Sequence, residues 1–133
     1  MRKQKFEDIT REELYSDLRS KGKVKTKAEF DFWLRRNVPK ESYYQTAILR
    51  YLKSKGFFAW KATAGIYARG GIPDIIAVKD GQFYAFEVKR PLVNGDNPEA
   101  EELQKSTIRK LKAHGAVCGV VVFVKDVERM IGK

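Results

Sequence analysis

The feature that most constrains this chain is a β-hairpin signal over Gly70–Pro91. Asp74–Val78 is apolar and β-branched, Asp80-Gly81 is a strong two-residue turn signal, and Gln82–Val88 carries Phe83, Tyr84, Phe86 and Val88. A loop closed on that dipeptide pairs Lys79 with Gln82 and therefore sets Asp74 directly opposite Glu87; a four-residue loop on the same centre keeps this register, whereas an odd-length loop does not. Opposed residues on one face have Cβ atoms roughly 4.5–5.5 Å apart. Two carboxylates at that separation repel by about 3 kcal/mol at an effective dielectric near 20. A shared proton, a cation, or Lys89 can offset this, since Lys89 falls on the face of Glu87 by the two-residue period of a strand. Two carboxylates and an ammonium projecting from adjacent strands suit a hard divalent cation with a positive group beside it.

The chain has 133 residues, which by length alone is one compact domain with a sizeable core. Its 27 Lys and Arg against 17 Asp and Glu leave a formal charge of +10. A basic excess of this size around a carboxylate cluster fits a polyanionic substrate held at a metal site, with a generic basic surface as the alternative. Residues 1–40 hold twelve basic and seven acidic residues, half of the net charge. The basic stretch Met1–Lys5 is not followed by an apolar run, and no segment reaches membrane-spanning length, so an intracellular (cytoplasmic) protein is expected. Cys118 stands alone in an apolar segment and His114 is the only histidine, which argues against an internal disulfide and against a zinc site.

Along the chain, Thr10-Arg11-Glu12-Glu13 and Thr26-Lys27-Ala28-Glu29 each match the capping box and predict two short helices, ended at Lys21-Gly22 and at Asn37-Val38-Pro39. Phe30, Trp33 and Leu34 on the second must pack on the core or on a partner. The link between them carries Lys21, Lys23 and Lys25, either a solvated loop or a set of phosphate contacts. A third helix is expected from about Lys40 to Lys55, with Glu41, Gln45, Ile48 and Leu52 on one stripe. A carboxylate and an amide on a core-facing stripe need partners; the alternative is that Glu41 serves the helix N-terminus electrostatically.

Phe57–Ala62 reads as the first strand, followed by a glycine-containing loop in which Arg69 can reach a phosphate near the metal. Lys61 and Arg90 are read as further DNA contacts. After Pro91 comes a loop, then a helix opened by Asn97-Pro98-Glu99 and running to His114, with Gln104 on the stripe of Ile108 and Leu111. Ala116–Lys125 reads as a strand buried on both faces, and Val127–Ile131 as a last short helix.

Pro73-Asp74, twelve intervening residues and Glu87-Val88-Lys89 together resemble the PD-(D/E)xK nuclease superfamily. The longer pattern, Gly71-Ile72-Pro73-Asp74 followed by Phe86-Glu87-Val88-Lys89-Arg90-Pro91, resembles its VRR-NUC branch over about Glu41–Ile131. The resemblance implies an α/β core of four strands, mixed in direction and flanked by helices, spanning 41–133, with 1–40 as an N-terminal helical extension. It implies Mg²⁺ or Mn²⁺ held by Asp74, Glu87 and the Val88 carbonyl, with Glu41 at a second ion or its water. Catalytic roles go to these acids, to Lys89 and to Gln104, the last matching a family glutamine, with an ordinary helix-edge amide as the alternative. The expected activity is hydrolysis of DNA phosphodiester bonds, by a homodimer on branched DNA such as a Holliday junction, with no nucleotide cofactor. A monomeric flap- or end-directed nuclease and a non-catalytic DNA-binding module are the rivals.

Overall fold

The computed structural model describes residues 6–62, 71–95 and 97–132. Its elements are α1 (Arg11–Ser20), α2 (Lys27–Asn37), α3 (Glu41–Ser54), β1 (Phe58–Lys61), β2 (Ile75–Lys79), β3 (Gln82–Val88), α4 (Pro98–Ala113), β4 (Val117–Val121) and α5 (Val124–Ile131). They form two compact units, residues 1–40 with 90–94, and 41–89 with 95–133.

The second unit is a four-stranded mixed sheet in the order β1-β2-β3-β4, the first two pairings antiparallel and the last parallel. The hairpin turn is the one its sequence demands: Asp80 has φ 52° and Gly81 φ 80°, both in the left-handed region that a two-residue turn matching strand twist requires. Lys79 pairs with Gln82 and Ile75 with Phe86. Since β3 and β4 run parallel, a crossover must join them, and α4 supplies it.

Strand alternation assigns the two faces. Ile76, Ala85 and Cys118 share a row and pack with Ile108 of α4, flanked by Leu111 and Ala116. The opposite face carries Ile75, Ala77 and Phe86, all fully buried. Helix α5 lies on that side: Gly119 pairs with Phe86, and a Cβ at Gly119 would sit 2.4 Å from the Met130 methyl carbon, so a larger residue there would have to displace the end of that flexible side chain. Helix α3 packs on the sheet and on α5, burying Ile48 and Leu52 from the stripe that begins at Glu41.

Two expectations need correction. The last strand ends at Val121, and α5 begins at Val124 rather than 127. The carboxylate of Asp126 accepts from the N–H groups of Val122 (3.0 Å) and Phe123 (2.9 Å), satisfying donors at the helix start and ending the strand early. Nor is β4 buried on both faces, because it is an edge strand and Val120 is 50 % exposed.

In the first unit, α1 opens with a complete capping box, Thr10 accepting from the Glu13 N–H and Glu13 from the Thr10 N–H, both at 3.0 Å. At α2 only half of the box forms. Thr26 accepts from the Glu29 N–H, but Glu29 accepts from the N–H of Lys25, one residue earlier than the motif expects. Phe30 and Leu34 are buried with Leu14, Leu18, Val24 and Val38, which is how α2 covers its apolar stripe. Arg11 ties the segment 90–94 to the helices, donating to the Leu92 carbonyl and pairing with Asp31 at 2.6 Å.

Candidate active site

The hairpin register extends one step beyond its ladder, from Ile75 opposite Phe86 to Asp74 and Glu87. The Asp74 carboxylate lies against β3, where its Oδ2 accepts from the Val88 N–H at 2.8 Å. In an extended strand the N–H and C=O of a residue point to the same edge, so the Val88 carbonyl also faces Asp74. On the face that α4 covers, the acidic row is the next one along from Ile76, Ala85 and Cys118.

Glu87 is 3 % exposed, and its Oε1 has no hydrogen-bond partner among the described residues. Its Oε2 lies 3.6 Å from Lys89 Nζ, an ion pair too long for a strong hydrogen bond. Lys89 Nζ donates instead to Gln104 Oε1 at 2.9 Å, so α4 holds the ammonium in place. Burial, then the charge of Asp74, push the Glu87 carboxyl up to about 7; Lys89 pulls it down, and Glu41 pushes it further up. The repulsion anticipated from the register is thus met partly by a main-chain donor at Asp74 and partly by proton uptake at Glu87. Lys89 offsets only part of it.

Glu41 is half-buried at the start of α3, and Gln45, one turn on, is buried. Among the described residues no group of three or more His, Cys, Asp or Glu side chains is placed to hold a metal ion. The fit to a hard cation therefore rests on the donor set: two carboxylates on adjacent strands, an adjacent main-chain carbonyl, and a buried carboxylate oxygen without a donor. All are oxygen ligands, the class of donor that a hard divalent cation takes.

The other predicted contacts separate. Lys61 is exposed on β1, and Arg69 lies outside the described residues. Lys21, Lys23 and Lys25 are exposed in the first unit, Lys21 paired with Asp17 at 3.0 Å. Arg90 is committed to main-chain acceptors: its guanidinium donates to the carbonyls of Pro39 (3.0 Å), Arg35 (3.0 Å) and Val38 (2.5 Å) at the end of α2. The sequence does not single out the exposed Phe58, Trp60 and Phe83, which flank the half-buried Val78 on the face of the acidic row. Its signal is the pair of aromatics at alternate positions of the edge strand β1, Phe58 and Trp60.

Asp74 on one strand, Glu87-x-Lys89 on the next, and helices on both faces of a mixed sheet define a PD-(D/E)xK nuclease core. Residues 39–120 match the family model described as archaeal Holliday junction resolvase (Hjc), well over half of the chain, and the chain belongs to that family. Membership places it among structure-specific endonucleases. The matching family model is thus Hjc, while VRR-NUC enters as a likeness of fold. A solved VRR_NUC domain superposes with TM-score 0.55 at 22 % identity, covering 69 % of this chain and 94 % of that one. The Hjc of Archaeoglobus fulgidus, a Holliday junction resolvase from an archaeal hyperthermophile, superposes with TM-score 0.45 at 20 % identity, over 62 % of this chain and 67 % of that one. No curated protein matches the chain. Among the described residues no helix is long and apolar enough to cross a membrane.

Proposed function

We propose that this chain is a divalent-metal-dependent endodeoxyribonuclease that cuts branched DNA such as a four-way junction, working inside the cell as a homodimer with one cut from each subunit. The observation that carries the reading is Glu87, a buried carboxylate with an oxygen unpartnered among the described residues, opposite Asp74 and beside an ammonium fixed by Gln104. Asp74, Glu87 and the Val88 carbonyl would hold Mg²⁺ or Mn²⁺, and Glu41 would serve a second ion or its water. When bound, the ion supplies Lewis-acid polarisation of the scissile phosphate and lowers the pKa of an attacking water.

The chain's own groups do the rest. The Val88 N–H fixes the Asp74 carboxylate, so one of its oxygens is oriented by the main chain. Gln104 holds Lys89 Nζ where it can orient water and offset the negative charge that grows on the phosphate oxygens. Burial of Glu87 keeps bulk water from competing for its oxygens. The Gly71–Asp74 string and the placement of Glu41 and Gln104 further support a VRR-NUC-like variant of the site.

Two symmetric cuts need two copies of a site that occurs once per chain. The apolar surface of Phe58 (74 % exposed), Trp60 (41 %) and Phe83 (37 %) supports a second copy as its cover. The test is incubation of labelled four-way, flap and linear DNA with Mg²⁺, Mn²⁺ or chelator, with particle mass measured by light scattering. Paired cuts in the four-way DNA, lost with chelator, and a dimeric mass are expected. Cleavage of flaps or ends alone by a monomer would replace this reading, and cleavage that survives chelator would remove the metal from it.

A further inference from the structure

The first unit, most of it outside the family match, carries an open cavity of about 460 Å³ lined by Lys23, Val24, Ala28, Glu29, Phe32, Trp33, Arg36 and Asn37. Its size falls within the ~300–1,000 Å³ of small-ligand sites. Residues 28, 32 and 36 are spaced by four along α2, so one outward stripe of the helix forms the floor, and the α1–α2 link forms the rim.

Phe32 is 61 % exposed, an unusual position for a large aromatic on a two-helix unit that buries Phe6, Leu14, Leu18, Phe30 and Leu34. The Arg36 guanidinium sits 5.4 Å from its ring centroid, and Trp33 stands beside it, braced edge-on by Phe6 at 6.5 Å. Among the described residues neither Lys23 nor Arg36 is held in an ion pair, unlike Arg11 and Lys21 nearby. The acid on the rim, Glu29, is engaged by the Lys25 N–H. The cavity thus offers an aromatic floor, a stacked guanidinium and a free ammonium, in a segment carrying half of the chain's positive excess.

We propose that this cavity binds an unpaired nucleotide of the DNA, its base stacked on Phe32 and Trp33 and its phosphates held by Lys23 and Arg36. The ligand class rests on the DNA-cleavage reading; the site does not, being built from other residues. Every base has a π-face, so stacking of this kind tolerates any sequence, while the cations track the backbone. An apolar protein segment would leave the charged rim unused, and a phosphate alone would leave the aromatic floor unused.

The test uses the full chain carrying Trp60→Phe, so that Trp33 is the only tryptophan, in chelator so that nothing is cut. A short oligothymidylate is titrated against a phosphodiester strand of equal length made of abasic sites. The oligothymidylate should quench Trp33 fluorescence, and the abasic strand should bind more weakly and quench little. Phe32→Ala should weaken oligothymidylate binding by roughly 5- to 150-fold with little change for the abasic strand, and Phe32→Tyr should restore it. Phe32 is exposed, so circular dichroism of the alanine variant should be unchanged. Equal binding of the two strands, or oligothymidylate affinity unaffected by Phe32→Ala, would overturn the proposal. Because no cleavage is read, a chain that binds bases this way yet leaves four-way DNA intact would refute the nuclease reading alone.

Discussion

Arg90 and Glu87 lie three residues apart in sequence, and both keep a charged group at least partly out of water, yet the fold treats them in opposite ways. Arg90 donates to three carbonyls at the end of α2, groups that a helix C-terminus leaves without partners. Among the described residues Glu87 has one oxygen with no donor and the other in a long ion pair, and its carboxyl is pushed up to about 7. A charge kept for structure is satisfied by its neighbours. Under the proposed function, Glu87 is a charge left with capacity for something the chain itself does not provide, at a cost in stability.

The sharpest way to break this comparison is to remove the unsatisfied charge. Glu87→Gln or Asp74→Asn should abolish cleavage in Mg²⁺ while leaving DNA binding intact or slightly tighter, since phosphate repulsion falls and the basic surface remains. Gel-shift and cleavage assays on the same preparation check both halves; unchanged cleavage by either variant would make the acidic row structural. Next in size is Lys89→Ala, expected to lower kcat on the order of 10²–10³ through loss of one positioned electrostatic group. Gln104→Ala should show a smaller loss in the same assay, because it acts only by holding Lys89.

The structural partner should respond in the reverse sense. Arg90→Ala strips three carbonyls of a charged donor and should cost about 2–3 kcal/mol in chemical denaturation of the full chain. It should leave cleavage per folded molecule near the wild-type value. A loss of DNA affinity with no loss of stability would return Arg90 to the surface role its charge first suggested.

The contrast also explains what could be read in advance. The Asp80-Gly81 turn and the period-two pattern placed Asp74 opposite Glu87, because hairpin register is set locally. The stripe Glu41, Gln45, Ile48, Leu52 likewise showed which side of α3 meets the sheet, since helical spacing is local too. The main-chain role of Arg90 was not legible for the opposite reason: its acceptors belong to residues some fifty positions earlier, and no local pattern reports them. Asp126 capping α5 is a short-range effect, but Ala116–Lys125 was so uniformly apolar that strand propensity concealed it. The half-formed box at α2 shows a motif satisfied in composition whose hydrogen bond moved by one residue.

The most direct test of the central claim is unfolding free energy against pH, from 5 to 8, for wild type and Glu87→Gln, in chelator and in Mn²⁺. The Glu87 carboxyl is raised from 4.5 to about 7, so the native state holds a proton that the unfolded chain releases, and stability falls as pH rises through that window. The account predicts that wild type in chelator loses on the order of 2 kcal/mol more than Glu87→Gln across the range. Mn²⁺ should recover that difference at pH 8 for wild type and do nothing for the variant. Parallel pH profiles in chelator, or equal stabilisation of both proteins by Mn²⁺, would contradict it.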